Sequence, residues 1–127
     1  MSAHDEARRL LVLAGKDLKA LRHMLDVDAF DDEVFGFHAQ QAIEKALKAW
    51  LALRNTDYPR THDLSMLLGL LQEKGEDISG YFDLIEYNAF AVQFRYEAFE
   101  GEDEPLDRAA AVGRIARLVD SVARRAS

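Results

Sequence analysis

The sequence predicts an all-α protein, an up-and-down bundle of about five helices, on three observations. Apolar residues recur at spacings of three and four in segment after segment. No stretch shows the alternation of a strand between tight turns. The breaks between periodic segments are short and rich in Asp, Asn, Gly and Pro. Short connections favour antiparallel packing of neighbours, and 127 residues suffice for a single domain, 1–127, that closes one core without a metal or disulfide staple.

The first helix is expected from about His4 to Leu25, with Ala7, Leu10, Leu11, Ala14, Leu18, Leu21 and Leu25 on one face. Asp31 or Asp32 then caps a second helix that runs to about Arg54, where Asn55-Thr56-Asp57-Tyr58-Pro59 breaks the pattern. Its core stripe is Phe35, Ala39, Ala42, Ala46, Ala49 and Leu53, flanked by Ile43 and Trp50. Thr61 reads as the N-cap of a third helix whose stripe is Leu64, Leu67, Leu68 and Leu71, with Gly75 as its stop. A fourth helix is expected over Tyr81 to Phe99, with Leu84, Ile85, Ala89, Val92 and Tyr96 near one face. After the acidic loop at 100–105, a last helix runs from Leu106 to about Arg124, with Ala109, Val112, Ile115, Ala116, Val119 and Val122 inward.

The absence of cysteine excludes disulfides, thiolate metal sites and cysteine nucleophiles, and fits a reducing cytoplasm. No run approaches the ~18 apolar residues of a membrane span, and the start lacks the apolar core of a signal peptide. The expectation is a cytoplasmic chain with no membrane association. A net charge of −7 argues against non-specific binding of duplex DNA, which needs many cations on one face. The histidines form no HxxxH pair, and Gly15-Lys16 lacks the rest of a phosphate loop, so no metal and no cofactor is expected.

The second helix carries more polar groups than packing requires. His38, Gln41 and Lys45 fall within about 60° of arc, and Lys48 continues their row. They read either as a solvated face or as a row that meets a ligand. Gln40 and Glu44 lie on another strip bounded by Leu47 and Leu51, so burial would oblige them to find partners on another helix or a second subunit; Arg95 is one candidate. His62 follows the proline turn, as a helix-start residue bonding nearby backbone or as a ligand-facing imidazole.

Phe37-His38-Ala39-Gln40-Gln41-Ala42-Ile43-Glu44-Lys45-Ala46-Leu47-Lys48-Ala49, then Tyr58-Pro59-Arg60-Thr61-His62-Asp63-Leu64, and a late Arg95-Tyr96 pair resemble the HEPN (higher eukaryotes and prokaryotes nucleotide-binding) domain family. The resemblance implies a bundle of four or five helices, commonly dimeric, often encoded beside a minimal nucleotidyltransferase and sometimes acting as an RNase toxin. Members that cut RNA carry Arg followed, after four to six residues, by His. No Arg here has a His at that distance: Arg95 meets Glu100, Gly101 and Glu102 at those positions, and seven residues separate Arg54 from His62. The expectation is therefore a homodimeric module, without catalytic residues, that binds a nucleotide or other anion through His38, Gln41, Lys45, Arg60, His62 and Arg95. A nucleotidyltransferase chain is its expected partner. An RNase with Arg and His from different helices or subunits is the alternative, and a plain protein-interaction homodimer the second alternative.

Overall fold

The computed structural model describes residues 2–91 and 106–127, and these are all-helical, without strands. The elements are α1 (Ala3–His23), α2 (Asp32–Leu53), α3 (Leu64–Glu73), a 3₁₀ segment (Ser79–Ala89) and α4 (Arg108–Ala126). Helix α2 is the central element and packs against every other one. Its sequence explains this place: Ala39, Ala42, Ala46 and Ala49 let neighbours approach closely, while Phe35, Ile43, Leu47, Trp50 and Leu51 fill the spaces between, all fully buried.

Local chemistry sets the ends of the helices. Ser2 and Asp5 form a reciprocal capping box on α1. Asp31 is the N-cap of α2, without a side-chain bond. At the other end of α2, Asn55 takes a left-handed conformation (φ 53°), so that Thr56 N–H donates to Leu51 and Asn55 N–H to Ala52. Gly75 (φ 85°) closes α3 in the same way, with Glu76 N–H donating to Leu71 and Gly75 N–H to Gln72. Arg54 ties the two ends together, donating to the Lys74 carbonyl at 3.0 Å and pairing with Glu76 at 3.3 Å.

Four expectations need correction. Helix α1 stops at His23, and Leu25 lies exposed beyond it. The N-cap of α3 is Asp63, which accepts from Ser65 N–H; the Thr61 hydroxyl instead accepts from Asp63 N–H in the turn ahead. The start of the expected fourth α-helix is instead 3₁₀ over 79–89, where Leu84 and Tyr87 are buried; Phe90 and Ala91, which follow, are α-helical and buried. Three-residue spacing is the 3₁₀ repeat, so Ala89 is exposed and Ile85 only half-buried. Helix α4 is rotated from its expected setting: Ala109 is exposed and Val112 and Ala116 half-buried, while Ala111, Ile115, Leu118, Val119 and Val122 face the core. Val92, Tyr96 and the loop at 100–105 lie outside the described residues.

Arg108, in the first turn of α4, lies on its buried face. Its side chain is 3 % exposed, and it donates to the carbonyls of Met24 (2.7 Å), Asp26 (3.2 Å) and Phe30 (2.6 Å) and to the Asp32 carboxylate (2.9 Å). The guanidinium also sits 5.2 Å from the Phe35 ring centroid. A cation in a helix's first turn opposes the helix dipole, so the position is held by these contacts and not by helix preference. The α1–α2 connection is thereby laced to the start of α4.

Candidate functional site

Where α2 meets the turn before α3, Glu44 gathers three partners. Its side chain is 7 % exposed, and its Oε1 accepts from Gln40 Nε2 at 3.0 Å and lies 2.7 Å from His62 Nδ1, while Oε2 accepts from Lys48 at 3.0 Å. Gln40 and Glu44 share a face because they lie one turn apart, as do Glu44 and Lys48. Asp63 caps α3 immediately after His62 and so sets where the turn places that residue. The amide of Gln40, fully buried, also donates to the His62 carbonyl at 2.9 Å, and Gln41 donates to Gln40 Oε1 at 2.7 Å. Gln40 thus holds both the backbone of His62 and the carboxylate that receives its ring.

Burial alone would raise the Glu44 pKa, but the bonds from Gln40, His62 and Lys48 outweigh it and hold the carboxyl below its ordinary range. The group is an ionised, fully engaged acceptor. His62 differs: half of its side chain is exposed, and Nε2 has no hydrogen-bond partner among the described residues. Arg60, two residues earlier on the same turn, is exposed and makes no hydrogen bond or ion pair among the described residues.

The expected row on α2 divides. His38 and Lys45 turn to α1, where Asp17 lies 3.3 Å from His38 Nδ1 and 2.7 Å from Lys45 Nζ. Gln41 turns to Gln40, while Arg60 and His62, two positions apart in the chain, belong to the turn ahead of α3. Two of the residues expected to meet a ligand are therefore engaged by Asp17, a residue not anticipated from the sequence. Its signal was weak: it stands beside Leu18 on the edge of the buried face of α1. Gln40 and Glu44 are buried and satisfied within the chain, through each other and the His62 turn; Arg95 lies outside the described residues. Among the described residues no group of three or more His, Asp and Glu is placed to hold a metal ion, and no helix is long and apolar enough to cross a membrane.

A cleft of about 440 Å³ opens at the end of α2, lined by Ala3, Glu6, Ala52, Asn55, Thr56, Asp57 and Tyr58. It holds none of the polar residues singled out from the sequence. Its carboxylates, Glu6 and Asp57, and the carbonyl end of α2 are unsuited to an anion. The Tyr58 ring, which lines this cleft, lies 5.6 Å from Lys48 Nζ.

No curated protein and no solved structure matches this chain. The model of the HEPN domain matches residues 7–124, a span that takes in α1, α2, the Glu44–His62 turn, α3, the 3₁₀ segment and nearly all of α4. With a bundle of that description and a match over almost its whole length, the chain belongs to the HEPN domain family.

Proposed function

We propose that this chain is a nucleotide- or anion-binding HEPN module whose ligand meets the turn before α3, with Arg60 on its phosphate and His62 beside it. The observation that carries this reading is the contrast between Arg60 and Lys45. Lys45 is spent on Asp17, while the Arg60 guanidinium is exposed, unpaired among the described residues and two positions from an imidazole held from behind. A planar guanidinium offers phosphate a bidentate, charge-assisted contact that a committed ammonium does not. Arg95 remains a candidate ligand residue on the strength of the sequence resemblance alone. The expected setting is a homodimer that works with a minimal nucleotidyltransferase chain, in a nucleotidyl-transfer or toxin–antitoxin system. Calorimetric titration with ATP and GTP, with and without such a partner, tests the reading. Binding that Arg60→Ala abolishes and Lys45→Ala leaves within about twofold supports it, and no heat at millimolar nucleotide overturns it.

One observation favours the alternative of an RNase. A carboxylate behind Nδ1 at 2.7 Å with Nε2 left free is the arrangement that orients an imidazole for general acid–base work. Cleavage of single-stranded RNA that disappears in both His62→Ala and Arg60→Ala would establish it. No cleavage, or cleavage indifferent to both changes, ends it.

A further inference from the structure

The cleft at the end of α2 gathers hydrogen-bond acceptors and no cation. It forms where α1 begins beside the carboxyl end of α2, and the residues lining it carry two carboxylates and no positive charge. Three neighbouring cations are committed: Arg9 grips both oxygens of Glu6 at 2.7 and 3.1 Å, Lys48 is held by Glu44, and Arg54 by Glu76 and the Lys74 carbonyl. Asp57 has no such counter-ion; it is exposed and makes no hydrogen bond or ion pair among the described residues. The Asn55 carbonyl, just past the negative end of the α2 dipole, also accepts no hydrogen bond among them. Ala3, Ala52 and Tyr58 add apolar surface to the walls. The Tyr58 hydroxyl donates to Glu6 Oε1 at 3.2 Å, which ties the turn to α1 without using either unpartnered acceptor. At about 440 Å³ the cleft has the size of a small-molecule site.

We propose that this cleft binds an organic ammonium, from a free aliphatic amine or from a lysine side chain of another protein, with Asp57 and the Asn55 carbonyl receiving its N–H donors and Ala3, Ala52 and Tyr58 covering its methylene chain. The cleft shares no residue with Arg60 and His62, so the inference is independent of the nucleotide reading. A divalent metal ion needs about six oxygen ligands, whereas Arg9 leaves one uncompensated carboxylate here, and among the described residues no three acids or histidines gather to hold a metal. A guanidinium brings five donors and an ammonium three; one carboxylate and one carbonyl suit the smaller demand. The methylenes of an aliphatic amine then pack on the alanines and the tyrosine ring while its charge stays at the acidic rim.

The test is an amide NMR titration of the full chain with cadaverine and, separately, with lysine blocked at both ends, in about 0.15 M salt to screen diffuse attraction to an acidic surface. The expected result is a saturable shift confined to the amides of Ala3, Glu6 and residues 52–58. Asp57→Asn should weaken it about tenfold, the effect of losing one charge-assisted hydrogen bond, and Ala3→Leu should weaken it comparably by filling the cleft. Asp28→Asn, an exposed acid in the α1–α2 connection, should leave it unchanged. Binding of cadaverine alone assigns a free amine as the ligand, and binding of blocked lysine alone assigns a protein lysine; either upholds the site. Shifts that fail to saturate at millimolar ligand, or that Asp57→Asn and Asp28→Asn weaken equally, overturn it. Blocked arginine bound more tightly than blocked lysine overturns the choice of an ammonium.

Discussion

Glu44 and Arg108 are both buried charges with several hydrogen bonds each, yet they do opposite things. Arg108 spends both terminal nitrogens on three backbone carbonyls of the α1–α2 connection and on the carboxylate of Asp32 at the start of α2. Glu44 collects an amide, an ammonium and an imidazole, and one of those partners turns a free nitrogen outward. A buried charge does not by itself mark a functional site. What marks Glu44–His62 is a network that ends on an imidazole nitrogen free at the surface. The Asp17 cluster with His38 and Lys45 lies between the two: His38 is 33 % exposed and its Nε2, like that of His62, has no hydrogen-bond partner among the described residues.

The sharpest break of this comparison is Arg108→Ala. It leaves the Met24, Asp26 and Phe30 carbonyls without their donor, and unfolding in urea should show a loss of about 3 kcal/mol with nucleotide binding unchanged in the folded fraction. A fall in affinity without loss of stability would assign Arg108 to the site and erase the distinction. Next in size is Gly36→Ala. An added Cβ would stand 2.3 Å from the Phe90 ring, so the ring must move, at a cost of about 2 kcal/mol by the same measurement.

Glu44→Gln is expected to cost about 1 to 2 kcal/mol at neutral pH, because the amide cannot accept from Gln40, His62 and Lys48 together as the carboxylate does. Its pH dependence carries a definite sign. The folded pKa of Glu44 lies below the ordinary 4.5, so its stabilisation is fully present above pH 4.5 and is lost as pH falls through the lower folded value. Stability curves of the wild type and Glu44→Gln should differ above pH 4.5 and converge below it. The smallest effect belongs to Asp17→Asn. It weakens two partly solvated pairs, costs under about 1 kcal/mol, and should leave nucleotide affinity unchanged or slightly raised as Lys45 is released. A tenfold gain would return Lys45 to the ligand site.

Much of the bundle was legible because helical periodicity reports one buried face, and α1, α2 and α3 each bury one. It failed at the start of α4 and where a tighter repeat overrode it. The spacing of Leu84, Tyr87 and Phe90 is three throughout, which a reading tuned to 3.6 assigns to a different face. Arg108 sits in a helix's first turn, where a cation is disfavoured, and that misfit was the one local sign that tertiary contacts hold it. In the site, the pairing of Glu44 with Gln40 and Lys48 follows from spacing along one helix, but the pairing of Lys45 and His38 with Asp17 crosses from α2 to α1 and has no such rule.

The sequence by itself determined the helices, the core stripe of α2, the stops at Asn55 and Gly75, and the HEPN family, because each depends on residues near one another in the chain. Only the tertiary structure decided which polar groups are spent and which are free. Glu44 meets His62 across eighteen positions of chain and Lys45 meets Asp17 across twenty-eight, distances at which spacing no longer constrains contact and packing alone chooses the partner.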